Sequence, residues 1–222
     1  MITVQLAVPW HVTTPTVHRV MAREFVDEFF ATGRLRLSSF DLFAKHPDEE
    51  RGDPGEGAHL LLGKGTKQTV YAVTRHGQSA FVLSGSSTGR PETFDCFDSD
   101  VAVRINDTTA FGTVIARQLP GFRFGFEGPC TYKNSPIECD IGDFELENLK
   151  RDAPTGQIEL NALGGFILNM AGHEVFFRKR TNYSHQGEYR WIWMTDLRGV
   201  DHLYVDVPEA RAVCTRVEKS DL

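Results

Sequence analysis

The chain has 222 residues with 30 acidic and 24 basic side chains, a formal net charge of −6, and 41% hydrophobic residues. That length buries a substantial core in one domain spanning 1–222, and the charge offers no global attraction to nucleic acid or to an anionic membrane surface. The apolar runs are far shorter than a membrane span, and the four cysteines (Cys96, Cys130, Cys139, Cys214) contain no C-x-x-C pair, which argues against a zinc site.

Taken in chain order, Met1 to Trp10 has neither a basic n-region nor a small-residue cleavage site, and reads as a first strand over Ile2–Val12. With the scattered cysteines, it sets the expectation of a cytoplasmic protein. Thr14-Pro15 suggests an N-cap with proline at the first helical position. Val17, Met21, Phe25 and Phe29 then recur at helical spacing, predicting an amphipathic helix over Thr16–Ala31 with Gly33 as its stop. Leu35–Ser38 alternates as a short strand, and Phe43–Gly57 is a polar, turn-rich loop.

Strands are expected over Gln68–Thr74 and Ser79–Ser84, joined at His76-Gly77 as a hairpin, before the Ser84–Gly89 break. Gly63-Lys64-Gly65-Thr66-Lys67 lacks the spacing of a phosphate-binding loop and reads as a turn. Val101–Ile105 is a strand, and Asp107-Thr108-Thr109 caps a helix through Leu119. The second half is strand-rich: Phe122–Phe126, Val175–Lys179, Glu188–Met194 and Leu203–Val207, with an acidic segment at Asp140–Asp152 and a helix over Ile158–Met170. The expected fold class is α+β, strand-dominated with a few peripheral helices.

The chemistry concentrates at Tyr183-Ser184-His185-Gln186-Gly187-Glu188-Tyr189-Arg190-Trp191-Ile192-Trp193, a polar loop running into a strand. Period-2 geometry points Gln186 and Glu188 to one face and Trp191 and Trp193 to the other. An amide and a carboxylate side by side can hold a sugar hydroxyl and orient an acceptor. The bland alternative for Glu188 is an exposed strand residue paired with Arg190 or with the run Arg178-Lys179-Arg180, itself either a solvated edge or a local anion-binding patch. Eight histidines show no ligand spacing, no G-x-S-x-G motif exists, and Ser84 and Ser86 are read as hydrogen-bonding groups.

The order of His11 in a first strand, a helix stopped by Gly33, the Ser84–Thr88 turn and Gln186-Gly187-Glu188 at a strand start resembles the ADP-ribosyltransferase fold, and in its opening the toxin branch that modifies DNA bases. The segments Gly52-Asp53-Pro54-Gly55-Glu56 and Glu188-Tyr189-Arg190 also resemble a bacterial family of uncharacterised function, with an Asp-Pro loop and a terminal Glu-x-Arg strand. The first resemblance implies a split-sheet ADP-ribosyltransferase-like core, NAD as substrate and no metal. It implies Glu188 as the catalytic carboxylate and Gln186 as the group that orients the acceptor. His11, Arg51, Ser84, Ser86, Tyr183 and Arg190 would contact NAD, with Tyr183 stacking on nicotinamide or acceptor and Arg51 or Arg190 facing the pyrophosphate. It further implies a bacterial toxin acting on RNA or DNA, with Arg178–Arg180, Trp191 and Trp193 aiding contact, and an antitoxin protein to restrain it. Transfer to a protein side chain, a non-catalytic binding module and a metal-independent ribonuclease using His11 or His185 are the alternatives.

Overall fold

The computed structural model describes residues 15–43, 57–64, 69–75, 77, 79–134, 138–140 and 173–222. The expected first strand, most of the Phe43–Gly57 loop, nearly all of the acidic segment and the helix over Ile158–Met170 lie outside the described residues, as do His11 and Arg51. What is described is α+β and rich in antiparallel strands, in the order β1 (Val17–Val20), α1 (Arg23–Thr32), β2 (Arg34–Ser39), α2 (Phe40–Phe43), β3 (Ala58–Lys64), β4 (Thr69–Arg75), β5 (Ala80–Ser86), α3 (Pro91–Cys96), β6 (Val101–Ile105), α4 (Thr108–Gln118), β7 (Phe122–Pro129), β8 (Thr131–Tyr132), β9 (Glu138–Asp140), β10 (Arg178–Lys179), β11 (Glu188–Thr195), β12 (His202–Asp206) and β13 (Cys214–Glu218). Short 3₁₀ segments at His173–Phe177, Thr181–Gln186 and Pro208–Val213 join the later strands. Among the described residues no helix is long and apolar enough to cross a membrane.

Eight strands form one branched sheet. β11 pairs with β5 along its length, from Met194↔Ala80 to Glu188↔Ser86, and its other edge takes β7. The opposite edge of β5 is shared: β2 holds Phe81 and Val82, while β1 meets Ser86. From these branch points β12 continues outward from β2, and β6 then β13 continue from β1. Where the sheet branches, the Ser84 carbonyl accepts from the side chain of Arg19 on β1, Nη1 to O at 2.6 Å, which gives that backbone acceptor a partner.

The helix expected over Thr16–Ala31 begins as a strand. Val17–Val20 is held between β5 and β6, where β-branched residues pack well, so Pro15 opens a strand and α1 begins only at Arg23. That shifts the buried phase to Val26 and Phe29 and leaves Phe25 54% exposed. The expected stop holds: Gly33 closes α1 at φ 82°, its N–H donating to Phe29 O at 2.7 Å.

The expected 68–84 hairpin does not form. β4 pairs instead with β3, in a separate sheet completed by β9, and Gly77 at φ 111° sends the chain past Phe40, whose ring leaves no room for a Cβ. The β3–β4 ladder runs as far as Lys64↔Thr69, so Gly63 and Lys64 belong to β3, and the rest of the turn read at Gly63–Lys67 lies outside the described residues. Asp107 caps α4 by accepting from Ala110 N at 2.8 Å. Val175–Lys179 is a 3₁₀ turn leading into a two-residue strand rather than one continuous strand.

An alanine Cβ at Gly33 would sit 2.4 Å from Pro208 N, in backbone that cannot retreat easily. With the left-handed φ, Gly33→Ala is expected to cost about 2–4 kcal/mol and to lower Tm by roughly 5–15 °C in a thermal melt.

Candidate functional site on the second face of the sheet

The two faces of the branched sheet differ in chemistry. On the first, Val17, Leu35, Leu37, Phe81, Leu83, Val103, Ile105, Tyr189, Trp191 and Trp193 form the main core with Val26 and Phe29 of α1 and Phe111 and Ile115 of α4. The indoles are locked there, Trp191 Nε1 donating to Thr108 O at 2.9 Å and Trp193 Nε1 to Gly112 O at 3.0 Å. Both tryptophans are therefore core residues, and the expected role of their rings in stacking on bases is set aside.

The second face changes along the strands. One half is apolar, with Ala80, Val82 and Ile192 under Phe40, Val175 and Phe176. The other half carries polar side chains. Directly opposed residues of antiparallel strands share a face, so the pairs Thr215↔Arg104, Arg104↔His18, His18↔Ser86 and Ser86↔Glu188 define one row across β13, β6, β1, β5 and β11. His18 and Glu188 stand two strand spacings apart, about 10 Å between Cα atoms. Ser84 and Arg190, opposed on the same two strands, flank the row.

Glu188 sits at the centre of a buried ion network. Lys179 Nζ donates to its Oε2 at 2.7 Å and Arg190 Nε to its Oε1 at 2.6 Å, the three side chains being 6%, 3% and 1% exposed. The same Lys179 ammonium donates to Gln186 Oε1 at 2.8 Å and lies 4.6 Å from the Tyr183 ring centre. Arg190 also donates to Phe176 O at 2.9 Å. Burial alone would raise the Glu188 pKa, but Arg190 and then Lys179 outweigh it and bring the carboxyl from 4.5 down to about 2. The Glu188 N–H donates to Tyr132 Oη at 2.7 Å, and burial pushes that phenol up to about 12, so it stays protonated.

The local backbone explains this convergence. The 3₁₀ turn Thr181–Gln186 ends at Gly187 in the left-handed region, φ 52°, which swings the chain sharply into β11. Ser86 Oγ donates to Gln186 O at 2.7 Å, and Ser87 N and Oγ both donate to Gly187 O at 2.8 Å. The Ser84–Thr88 turn thus grips the start of the Glu188 strand from a hundred residues away. Thr88 closes the grip, its Oγ1 2.9 Å from Ser86 Oγ.

Of the expected site residues, Gln186, Glu188, Arg190, Ser86 and Tyr183 are brought together, and Ser84 lies beside Arg190. Gln186 lies in the 3₁₀ turn before β11 rather than on the strand with Glu188; Lys179 and not a shared strand face brings the two together, and among the described residues they look into a charged interior, not an open cleft. Tyr183 is buried against Lys179 and Arg180. The basic run divides: Lys179 is buried, Arg178 half-buried and Arg180 exposed, so it is neither a solvated edge nor a continuous patch. Sequence reasoning missed His18 and Lys179. The β-branched pattern of Val17–Val20 was the signal for a strand that would present His18, whereas nothing local distinguishes Lys179 from its basic neighbours. Among the described residues no three His, Cys, Asp or Glu side chains converge as a metal site would require. The chain matches no family model, and no curated protein or solved structure matches it.

Removing Lys179 strands a buried carboxylate with one cation, so Lys179→Met is expected to cost about 3–5 kcal/mol in urea unfolding. Because the folded pKa of Glu188 is depressed, its contribution is full above pH 4.5 and is lost as pH falls toward 2. Glu188→Gln is expected to flatten that acid limb by about 3 kcal/mol in stability measured against pH.

Proposed function

We propose that this protein is an NAD-dependent ADP-ribosyltransferase that modifies nucleic acid. The observation that carries the reading is the row His18–Ser86–Glu188 across β1, β5 and β11, with Gln186 tied to Glu188 through one lysine. A histidine of the first described strand, the serine turn and the x-x-Glu strand, far apart in sequence, share one face of a branching sheet. The first-strand role expected of His11 passes in this reading to His18.

In the reaction the bond between ribose C1′ and the nicotinamide nitrogen breaks, its electron pair neutralising the pyridinium. The oxocarbenium-like ribosyl centre is then taken by a nucleophile that loses a proton. Glu188, ionised across the neutral range, holds the ribose 2′-hydroxyl and stabilises the developing positive charge from a preorganised position. Lys179 and Arg190 fix the carboxylate, and Gln186 presents an amide to the acceptor. Tyr183 acts through Lys179, while Arg180, exposed beside it, offers charge to a phosphate backbone. A transferase of this kind fits a cytoplasmic bacterial toxin restrained by an antitoxin protein, in a toxin–antitoxin or phage-defence setting.

The burial of Glu188, with a cation on each oxygen, favours a second reading: a binding module in which the network is purely structural. NAD labelled in its adenylate phosphate, incubated with RNA, DNA and cell protein, separates the two. Transfer of label to nucleic acid, reduced by about 10²-fold or more in Glu188→Gln, is the expected result. Label on protein alone would move the acceptor to a side chain. Absence of any NAD consumption by the folded wild type would leave the binding module, and RNA cleavage without NAD would indicate a ribonuclease.

A further inference from the structure

Among the described residues β7 pairs with β11 alone, so no strand lies along its outer edge. Arg123, Phe124 and Gly125 in the middle of that edge are exposed, Phe124 by 53%. The bond from Cys130 N to Glu188 O at 2.8 Å sets the phase of the ladder. Opposed residues of antiparallel strands alternate between bonding each other and bonding outward. Gly128 and Phe126 therefore bond β11, while Glu127 and Gly125 turn their N–H and C=O groups away from it. A bare edge of this kind is a template for another strand, and proteins guard it with charge, proline or a bulge. β7 has Arg123 and Glu127, Pro129, and an irregular step opposite Met194 and Thr195. Its two charges, however, are of opposite sign and stand symmetrically, two residues either side of Gly125.

That symmetry selects the occupant. A second copy laid antiparallel on this edge, about a two-fold axis at Gly125, opposes Arg123 to Glu127 in both directions, because an isologous contact repeats every pairing. The same register opposes Phe124 to Phe126 of the second copy, on the face where these rings lie opposite Met194 and Ile192. Moving the axis to Phe124 or Phe126 keeps the hydrogen-bond phase but sets Arg123 against Gly125 or Pro129, and both ion pairs are lost. Glu127 is suited to receive a cation. It accepts from the Thr108 and Thr109 hydroxyls at the start of α4, and among the described residues no cation pairs with it. It also lines a cleft of about 210 Å³ between α4 and β7, with Thr109, Gly112, Thr113 and Gly125, whose short side chains leave room for an incoming guanidinium. Arg123 pairs with Asp196 at 2.6 Å, both side chains being more than half exposed, and so exposed a pair holds the arginine only weakly. We propose that β7 is a dimerisation edge, on which a second copy of this chain pairs antiparallel about Gly125 and sends Arg123 to Glu127 across the axis. The inference stands apart from the transferase reading.

Analytical ultracentrifugation of the full chain over a range of concentrations tests the edge. One strand edge with two phenylalanines per copy makes a small interface, so a monomer–dimer equilibrium is expected at roughly 10–100 μM. Arg123→Glu and Glu127→Arg each set like charges opposite one another and are expected to weaken the dimer roughly tenfold or more. Mixing the two variants restores opposite charges in both pairs, so a dimer with one copy of each is expected to return. Phe124→Ser, at a side chain the fold leaves exposed, is expected to weaken association while the melting temperature stays nearly unchanged. The Gly125 and Glu127 amides are expected to gain protection from hydrogen exchange only as concentration rises. A wild type still monomeric at roughly 1 mM would overturn the proposal. So would protection of those amides that is independent of concentration, which would mean that the chain covers its own edge. A dimer indifferent to the charge changes and to Phe124→Ser, or charge variants that dissociate and do not recombine on mixing, would overturn it equally.

Discussion

The pairing of β5 with β11 is the constraint on which the rest of the molecule depends. Seven consecutive register pairs, from Ala80↔Met194 to Ser86↔Glu188, bind two segments a hundred residues apart. That pairing places Trp191 and Trp193 beneath α4, where their indole N–H groups reach helix carbonyls. It also occupies one whole edge of β5, so β2 and β1 must divide the other, and the sheet branches. A register slip of one residue would turn every side chain of β11 to the wrong face, sending Glu188 and Arg190 into the aromatic core and the indoles into the ion network. The first-face core and the second-face network therefore specify the same register independently.

The second face shows how much charge this pairing tolerates. Its apolar half packs Val82 and Ile192 under Phe40 and Phe176, so the sheet has hydrophobic cover at hand. A few residues along the same strands, Glu188, Arg190 and Lys179 are withdrawn from water instead. Desolvating three ions costs several kcal/mol each before pairing returns it, and apolar replacements of buried ion pairs are often as stable or more so. Stability alone is thus a poor reason for this half of the face. What the network achieves is geometric: Lys179 holds an amide and a carboxylate at one point, and Arg190 fixes the second carboxylate oxygen.

How far the sequence could be read follows from how local each determinant is. The alternation from Glu188 to Trp193 was legible because a strand sorts neighbours by parity alone, and Gly33 and Asp107 were legible because caps act within a few residues. The first helix was overextended because Val17 and Met21 fit helical spacing with Phe25 and Phe29. Only β5 and β6, lying on either side, show that Val17–Val20 is a strand. The 68–84 hairpin had plausible turn residues, but β4 had a better partner in β3, and no turn signal ranks partners. The basic run Arg178–Arg180 had two readings, both on the surface, and the middle residue of the three is instead the buried pivot of the network.

By itself, then, the sequence determined an α+β chain with a glycine-stopped first helix, an Asp-capped later one, and a late strand carrying Glu188 on the face opposite two tryptophans. These features depend on dihedral preferences and on spacings of two to four residues, which any window of the chain contains. Tertiary structure alone decided that His18 and Ser86 join Glu188 in one row, that Lys179 turns inward and that the tryptophans are covered. Those outcomes depend on which strand edges find each other across separations of about a hundred residues, and on where water is excluded once they do. Burial and register are properties of the assembled sheet, and no segment of it carries them alone.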